Sequence, residues 1–287
     1  WAADLGLDSY ARTGGQVRPD GVRALAELLL SSPEPLTILA LAPTTNLGAL
    51  LSRHPDAAQR VATIYSMLGG VDRCYNDQII TAPNSCTEFN VGQDIASAKA
   101  FVNGPWPITM APLDTCGTAV LGGPAWQRLQ AARVAGHPMV APLLESLSVW
   151  SNGGYPPASA QSDVLYDAVA MYMSHTLSPF LMQDIQLGVS DSGATVRTPG
   201  AKFISVAMQW NVGGKEGFLE DVAAMLLEGP ARIADRQKAF PQELFLIPGR
   251  RPPPESPARP GCFGVARRGL RGCLTALGPL PVCALAA

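Results

Sequence analysis

The sequence has few aromatic residues, few charges, only three histidines and no long apolar run. Aromatic residues make up 7% and charged residues 15% of the 287 positions. No run of about 18 apolar residues occurs, so a membrane-spanning helix is not expected. The formal net charge of −2 provides no basic field for nucleic acid. We therefore expect neither a nucleic acid nor a membrane as a partner.

Six cysteines are present, but none forms a CxxC pair or lies near a histidine pair, which argues against a zinc site. We expect these scattered thiols to be reduced, which favours a reducing compartment such as the cytoplasm. The chain starts at Trp1 without a basic and apolar leader, so no signal peptide is predicted. Because no initiator Met is present, we expect the natural N-terminus to lie further upstream.

The chain changes character near Pro248, and we expect two regions, residues 1–248 and 249–287. The first region has 15 basic and 22 acidic residues, hence −7, and the second has six Arg residues against one acid, hence +5. The second region is rich in Pro and Arg and follows no helical or strand period. It is either a basic arm for RNA or acidic lipid, or a disordered extension that is not part of the fold, and we expect the latter.

Residues 1–248 alternate between short apolar runs and amphipathic segments of 10–15 residues. Apolar runs such as 36–43, 61–68 and 203–210 are typical of buried strands, and 20–32, 94–102 and 162–175 have helical spacing. This alternation predicts an α/β fold, a Rossmann-like, mostly parallel sheet with helices on both faces. Ligands of such sheets gather beyond the carboxyl ends of the strands.

Polar residues follow several of these predicted strand ends. Glu88 and Asn90 are two residues apart, so an extended segment would project both side chains to one face. A carboxylate beside a carboxamide suits the two hydroxyls of a ribose diol. An ordinary loop, with Asp94 as the N-cap of the next helix, explains the same residues. Asp167 lies in an apolar helix, where a carboxylate is either bound to a partner or placed near the helix N-terminus.

Five segments in this order resemble the inosine–uridine-preferring nucleoside hydrolase family, over about 210 residues. Each is similar to a family motif: the strand–PLTN–helix segment, the strand ending in Met-Gly-Gly, EFN-x3-DPEAA, the LD-x-T turn and HDPLA. The matching segments are 37–55, 63–70, 88–98, 112–115 and 165–170.

The resemblance implies hydrolysis of the N-glycosidic bond of a ribonucleoside to a free base and ribose. It implies one Ca²⁺, with the backbone carbonyl of Thr45 and the carboxylate of Asp167 as ligands. Ca²⁺ can hold both the ribose diol and the attacking water. The resemblance also places Glu88 and Asn90 at the ribose, and allows a homo-oligomer.

Three departures from the family pattern stand out. Tyr166 occupies the leaving-group position, where many members have a His, and Tyr is a poor proton shuttle at pH 7. Leu68 falls where the family has a Met near the sugar. The GN-x-T motif is lacking, although Asn84 is near its place and is a candidate ribose contact.

The gravest departure is the lack of the N-terminal DTD-x-G-x-DD cluster, which supplies most calcium ligands and the general base in the family. Asp4 and Asp8 lie too close to Thr45 to represent it, so we interpret residues 1–248 as an N-terminally incomplete family domain. Two functions remain open. One is a Ca²⁺-dependent ribonucleoside hydrolase, and the other is a catalytically silent or truncated relative that binds ribosides or a protein partner.

Overall fold

A computed structural model describes residues 18–150, 160–229 and, for the backbone alone, 282–285. The elements up to Leu227, together with the last strand, belong to one compact unit. Ten helices and nine strands are formed in the described residues. The helices are α1 Gly21–Ser31, α2 Thr45–Arg53, α3 Pro55–Ala58, α4 Phe89–Gly92, α5 Ile95–Val102, α6 Leu113–Cys116, α7 Gly123–Val134, α8 Val140–Trp150, α9 Tyr166–Met173 and α10 Gly214–Glu228. The strands are β1 Leu36–Ala40, β2 Val61–Met67, β3 Ile108–Ala111, β4 Val120–Gly122, β5 Gln161–Val164, β6 Phe180–Val189, β7 Thr195–Arg197, β8 Phe203–Trp210 and β9 Val282–Leu285.

Seven strands form one sheet in the order β7-β6-β8-β3-β2-β1-β9. Strands β8, β3, β2, β1 and β9 run parallel, whereas β6 is antiparallel to β8 and β7 is antiparallel to β6. Strands β4 and β5 form a separate antiparallel pair. The predicted α/β fold with a mostly parallel sheet is therefore confirmed.

Helices cover both faces of the sheet, because neighbouring residues of the central strands belong to different core clusters. Met110 and Val206 pack with apolar side chains of α1, α2 and α5 in a cluster that we call the first core. Their neighbours Ala111 and Ala207 pack with side chains of α6, α9 and α10 in the second core. Successive residues of a strand point to opposite faces, so the two cores lie on opposite faces of the sheet.

Local sequence signals explain several helix starts. Asp20 caps α1 by accepting a hydrogen bond from Arg23 N at 3.0 Å. Asp94 caps α5 in the same way, from Ser97 N at 3.0 Å, as predicted from the sequence. Asp is a favoured N-cap residue because its side-chain oxygen satisfies a free N–H of the first turn.

Two expectations differ from the structure. Residues 161–164, of which 162–164 were expected to begin a helix, form β5 instead, and α9 begins only at Tyr166. The pairing of β5 with β4 explains this, because a distant partner strand is not visible in local periodicity. In the tail, where no strand period was expected, Val282–Leu285 pair in parallel with β1 and form the last strand of the sheet. The rest of the tail and the boundary at residue 248 lie outside the described residues.

Candidate functional site

The candidate site lies at the carboxyl ends of β2 and β3, where two buried carboxylates are held by backbone N–H groups. Glu88 is 2% exposed and Asp114 is 7% exposed. Buried carboxylates are costly without hydrogen-bond partners. Each of these two accepts three backbone hydrogen bonds, so their positions are fixed by the loops that follow the strands.

Glu88 precedes the short helix α4 and acts as its N-cap. Oε1 accepts from Asn90 N at 2.9 Å, and Oε2 accepts from Val91 N at 3.3 Å and from Gly69 N at 3.0 Å. An extended segment from Glu88 to Asn90 was expected, and this is wrong, because Asn90 lies in the first turn of α4. The two side chains are nevertheless both buried, because the cap turns the Glu88 carboxylate back over the helix start.

Asn90 is fixed by Met67 at the end of β2. Its Nδ2 donates to the Met67 carbonyl at 3.0 Å and lies 3.3 Å from the Met67 sulfur. Leu68, which the sequence analysis placed near the sugar, is 1% exposed and packs in the first core. Because alternate residues face opposite sides of a strand, it is Met67, one residue earlier, that contacts Asn90.

Asp114 anchors the loop that follows the two glycines after β2. Its Oδ2 accepts from Val71 N at 2.8 Å, and its Oδ1 accepts from Asp72 N at 2.7 Å and from Arg73 N at 3.1 Å. The segment around Asp114 was expected to be a turn, and no role was predicted for Asp114 itself. A sequence signal for its role does exist. The backbone N–H groups that follow Gly69-Gly70 need hydrogen-bond acceptors, and a nearby carboxylate can supply them.

Two tyrosines stand beside these carboxylates. The Tyr75 hydroxyl accepts from Phe89 N at 2.8 Å, and its ring lies edge-on to that of Tyr166, with the ring centroids 6.3 Å apart. Both side chains are half-buried. Burial is the main cause that raises the pKa of each phenol, and the charge of Glu88 adds to it.

The charges in this region interact with one another. Burial raises the pKa of Glu88 most, and the nearby Asp167 carboxylate raises it further, while its three backbone hydrogen bonds lower it. Burial also raises the pKa of Asp114 and of Asp167. The free, buried Cys116 thiol has a pKa well above its ordinary value, because of burial and then the charges of Glu88, Asp167 and Asp114. Of the predicted residues, Asn90 is hydrogen-bonded to Glu88, whereas Tyr166 and the exposed Asp167 interact with Glu88 through charge.

Two other predicted residues, Thr45 and Asn84, are exposed. Thr45 lies in the first turn of α2, is exposed, and donates its hydroxyl to Asp94 at 2.8 Å. Asn84 is exposed in the loop between β2 and α4, with a φ of 62°. Asp4 and Asp8 lie outside the described residues.

The described residues do not complete a calcium site. No group of three or more His, Cys, Asp or Glu side chains there could hold a metal ion, and Ca²⁺ takes six to eight oxygen ligands.

Among the helices of the described residues, none has the length and apolar character of a membrane-spanning segment.

A disulfide joins Cys74 and Cys86, with the Cα atoms 5.8 Å apart. The expectation that the cysteines are reduced is therefore wrong for these two. Their spacing of twelve residues has no motif, and only the fold of the intervening loop brings them together. Because they are oxidised, these two cysteines do not support a reducing compartment.

Comparisons with known proteins identify the family of the chain. The family model described as inosine-uridine preferring nucleoside hydrolase matches residues 4–219. A pyrimidine-specific ribonucleoside hydrolase RihA of Citrobacter koseri is 30% identical over 145 residues, which are 50% of this chain and 44% of that protein. A non-specific ribonucleoside hydrolase RihC of Salmonella newport is 29% identical over 136 residues, 46% of this chain and 42% of that protein. The chain therefore spans less than half the length of these curated relatives.

Solved structures share the fold. A purine-preferring ribonucleoside hydrolase from Gardnerella vaginalis is similar with a TM-score of 0.59 at 17% identity, over 74% of this chain and 67% of that one. An inosine-uridine preferring nucleoside hydrolase from Bacillus anthracis is similar with a TM-score of 0.55 at 17% identity, over 76% and 71%.

Proposed function

The chain belongs to the inosine-uridine preferring nucleoside hydrolase family, and from this premise we propose that it binds ribonucleosides through Glu88 and Asn90. The curated and solved relatives named above differ in base preference, being pyrimidine-specific, non-specific or purine-preferring. The ribose is the part of the substrate that all of these names share. We therefore assign Glu88 and Asn90 to the ribose and not to the base.

The observation that carries the proposal is the unused hydrogen-bonding capacity of this buried pair. A carboxylate can accept about four hydrogen bonds, and Glu88 accepts three from the backbone. The Asn90 amide donates to Met67, and within the described residues its carbonyl oxygen accepts no hydrogen bond. One acceptor position on each side chain is thus left for two vicinal hydroxyl donors, which is the pattern of a ribose diol.

We further propose that the reaction of the whole protein is cleavage of the N-glycosidic bond. The bond between C1′ and the base nitrogen breaks, water adds to C1′, and the base leaves with a proton. Tyr166 would stand at the base, where its phenol donates a hydrogen bond. Because burial raises the pKa of this phenol, we assign it binding of the base rather than transfer of a proton.

Calcium is expected from the family resemblance, but the described residues do not fit it. Asp167 is exposed, although its charge affects the pKa of Glu88. Together with the backbone carbonyl of Thr45 it would supply two ligands, far fewer than the six to eight that Ca²⁺ takes. No step of the proposal is therefore assigned to a metal.

A second candidate function is riboside binding without hydrolysis. It is favoured by the surroundings of Glu88, whose carboxylate is buried and fixed by three N–H groups. A carboxylate held in this way suits binding of a hydroxyl donor, and no contact of the described residues assigns it a role in activating water.

Calorimetric titration with uridine and inosine, together with an assay for released ribose, tests the proposal. Glu88→Ala should weaken binding by about ten- to a hundredfold, as expected for a hydrogen bond to a charged group. The exposed Glu145 provides a matched control, and Glu145→Ala should bind like the wild type. Binding without ribose release would favour the second function, and equal binding by Glu88→Ala would refute the assignment of the diol site.

A further inference from the structure

A short hairpin, residues 72–80, lies beside the Glu88 carboxylate. Ile80 N donates to the Asp72 carbonyl at 3.0 Å, and Cys74 N donates to the Gln78 carbonyl at 2.8 Å. A 3₁₀ turn, Tyr75–Asp77, forms its tip. The first residues of the hairpin are held by Asp114, through the N–H groups of Asp72 and Arg73.

The disulfide ties this hairpin to the residue two positions before Glu88. Cys74 lies next to the tip of the hairpin, and Cys86 is 3% exposed within the second core. Thr87, between Cys86 and Glu88, is fixed from another side, since its hydroxyl donates to the Ser192 carbonyl at 2.9 Å. The chain on both sides of the disulfide is thus attached to the rest of the fold.

Tyr75 extends from the disulfide-linked hairpin to the start of α4. Glu88 accepts hydrogen bonds from the second and third residues of this helix, Asn90 and Val91. Tyr75 accepts the remaining one, from the N–H of the first residue, Phe89. Phe89 N belongs to the peptide unit that carries the Glu88 carbonyl, so this hydrogen bond fixes the orientation of the backbone from which the Glu88 side chain projects.

We propose that Tyr75 is a positioning residue for the Glu88 carboxylate and that the Cys74–Cys86 disulfide holds Tyr75 in place. The consequence for ribosides depends on the proposed function. The positioning itself does not, because it concerns contacts within the protein. Its direct signature is the protection of the three amides that donate to Glu88, namely Gly69, Asn90 and Val91.

Amide hydrogen exchange of the full chain without riboside tests the proposal. Tyr75→Phe removes only the hydroxyl and should speed exchange of the three amides by roughly three- to tenfold, as expected for one lost hydrogen bond. The matched control is Tyr65→Phe, because Tyr65 is half-buried in the same core and its hydroxyl makes no hydrogen bond within the described residues. The control should leave the three amides unchanged, and Met110, in the central strand β3, reports global opening.

Removing the disulfide is the second arm of the experiment. Cys74→Ala combined with Cys86→Ala should speed exchange at the same three amides by at least as much as Tyr75→Phe. Adding Tyr75→Phe to this variant should then change them little further, because the hydroxyl is already displaced. Two results would overturn the proposal. In Tyr75→Phe, the exchange rates of the three amides could stay within twofold of the wild type, or the exchange rate of Met110 could rise as much as theirs. A chain that binds no riboside still gives this measurement, so the two proposals fail separately.

Discussion

The backbone N–H of Gly69 donates to the buried carboxylate of Glu88 across 3.0 Å. This hydrogen bond joins the loop after β2 to the start of α4, nineteen residues later in the chain. It places a carboxylate at the carboxyl end of a central parallel strand, where ligands of such sheets bind. The close approach depends on the backbone of Gly69, which has a φ of 72°.

Replacing Gly69 by Ala should destabilise the fold for two reasons. A residue with a Cβ at a positive φ costs about 1–2 kcal/mol, and this Cβ would lie 2.2 Å from the Thr195 hydroxyl oxygen. Overpacking of this kind costs about 1–3 kcal/mol more.

Gly200→Ala is the matched control for the first of these costs, because Gly200 has a φ of 83° and nothing within 4 Å of an added Cβ. The free energy of unfolding in urea should fall more for Gly69→Ala than for Gly200→Ala. Equal losses would show that Thr195 moves aside without cost.

Asp114→Asn should destabilise the loop after β2. Both Asp114 oxygens accept backbone hydrogen bonds, and Asn offers one oxygen while turning an NH₂ group toward an N–H donor. A buried donor without an acceptor costs about 1–3 kcal/mol, which urea unfolding will measure. The neighbouring Asp72 is exposed and pairs with Arg197 at 3.0 Å, so Asp72→Asn should cost no more than about 0.5 kcal/mol. Similar losses for both variants would contradict the anchoring role of Asp114.

The raised pKa of Glu88 predicts an unusual dependence of stability on pH. In the unfolded chain this carboxyl has its ordinary value of 4.5, and burial raises the pKa in the folded state. The folded state therefore binds the proton more tightly, and its free energy of unfolding falls as the pH rises from about 4.5 through the folded pKa. Glu88→Gln removes this dependence. The free energy of unfolding of the variant, taken relative to that of the wild type, should therefore rise as the pH increases over that range.

Urea unfolding of both proteins between pH 4 and pH 8 measures this difference. Other carboxylates, such as Asp114 and Asp167, are present in both proteins and largely cancel. A difference that is constant with pH, or that has the opposite sign, would mean that the three backbone hydrogen bonds of Glu88 outweigh its burial.

The sequence predicted those parts of the fold that depend on local signals. Apolar periodicity located the parallel strands β1, β2 and β8 and most helices, and Asp94 was identified as a cap because Asp is among the favoured N-cap residues. Glu is not among them, so the cap formed by Glu88 was missed and an extended segment was expected instead. Glu88 and Asn90 are both buried, but through this cap and not through the extended geometry that was expected.

The features that the sequence missed depend on contacts between distant residues. Strand β5 exists because it pairs with β4, and Val282–Leu285 form a strand because they pair with β1. The Cys74–Cys86 disulfide depends on the fold of the loop that starts with the hairpin containing Cys74, which no spacing rule indicates. The hydrogen bond from Phe89 N to Tyr75 likewise joins residues whose proximity is set by that hairpin.

The central claim is that Glu88 and Asn90 bind the ribose diol, and an NMR titration tests it most directly. The amide resonances of Gly69, Asn90 and Val91 report on the Glu88 carboxylate, because all three donate to it. Adding uridine should shift these three resonances, and 2′,3′-dideoxyuridine, which lacks the diol, should leave them in place at the same concentration. Equal shifts with both nucleosides, or shifts confined to amides away from Glu88, would contradict the account.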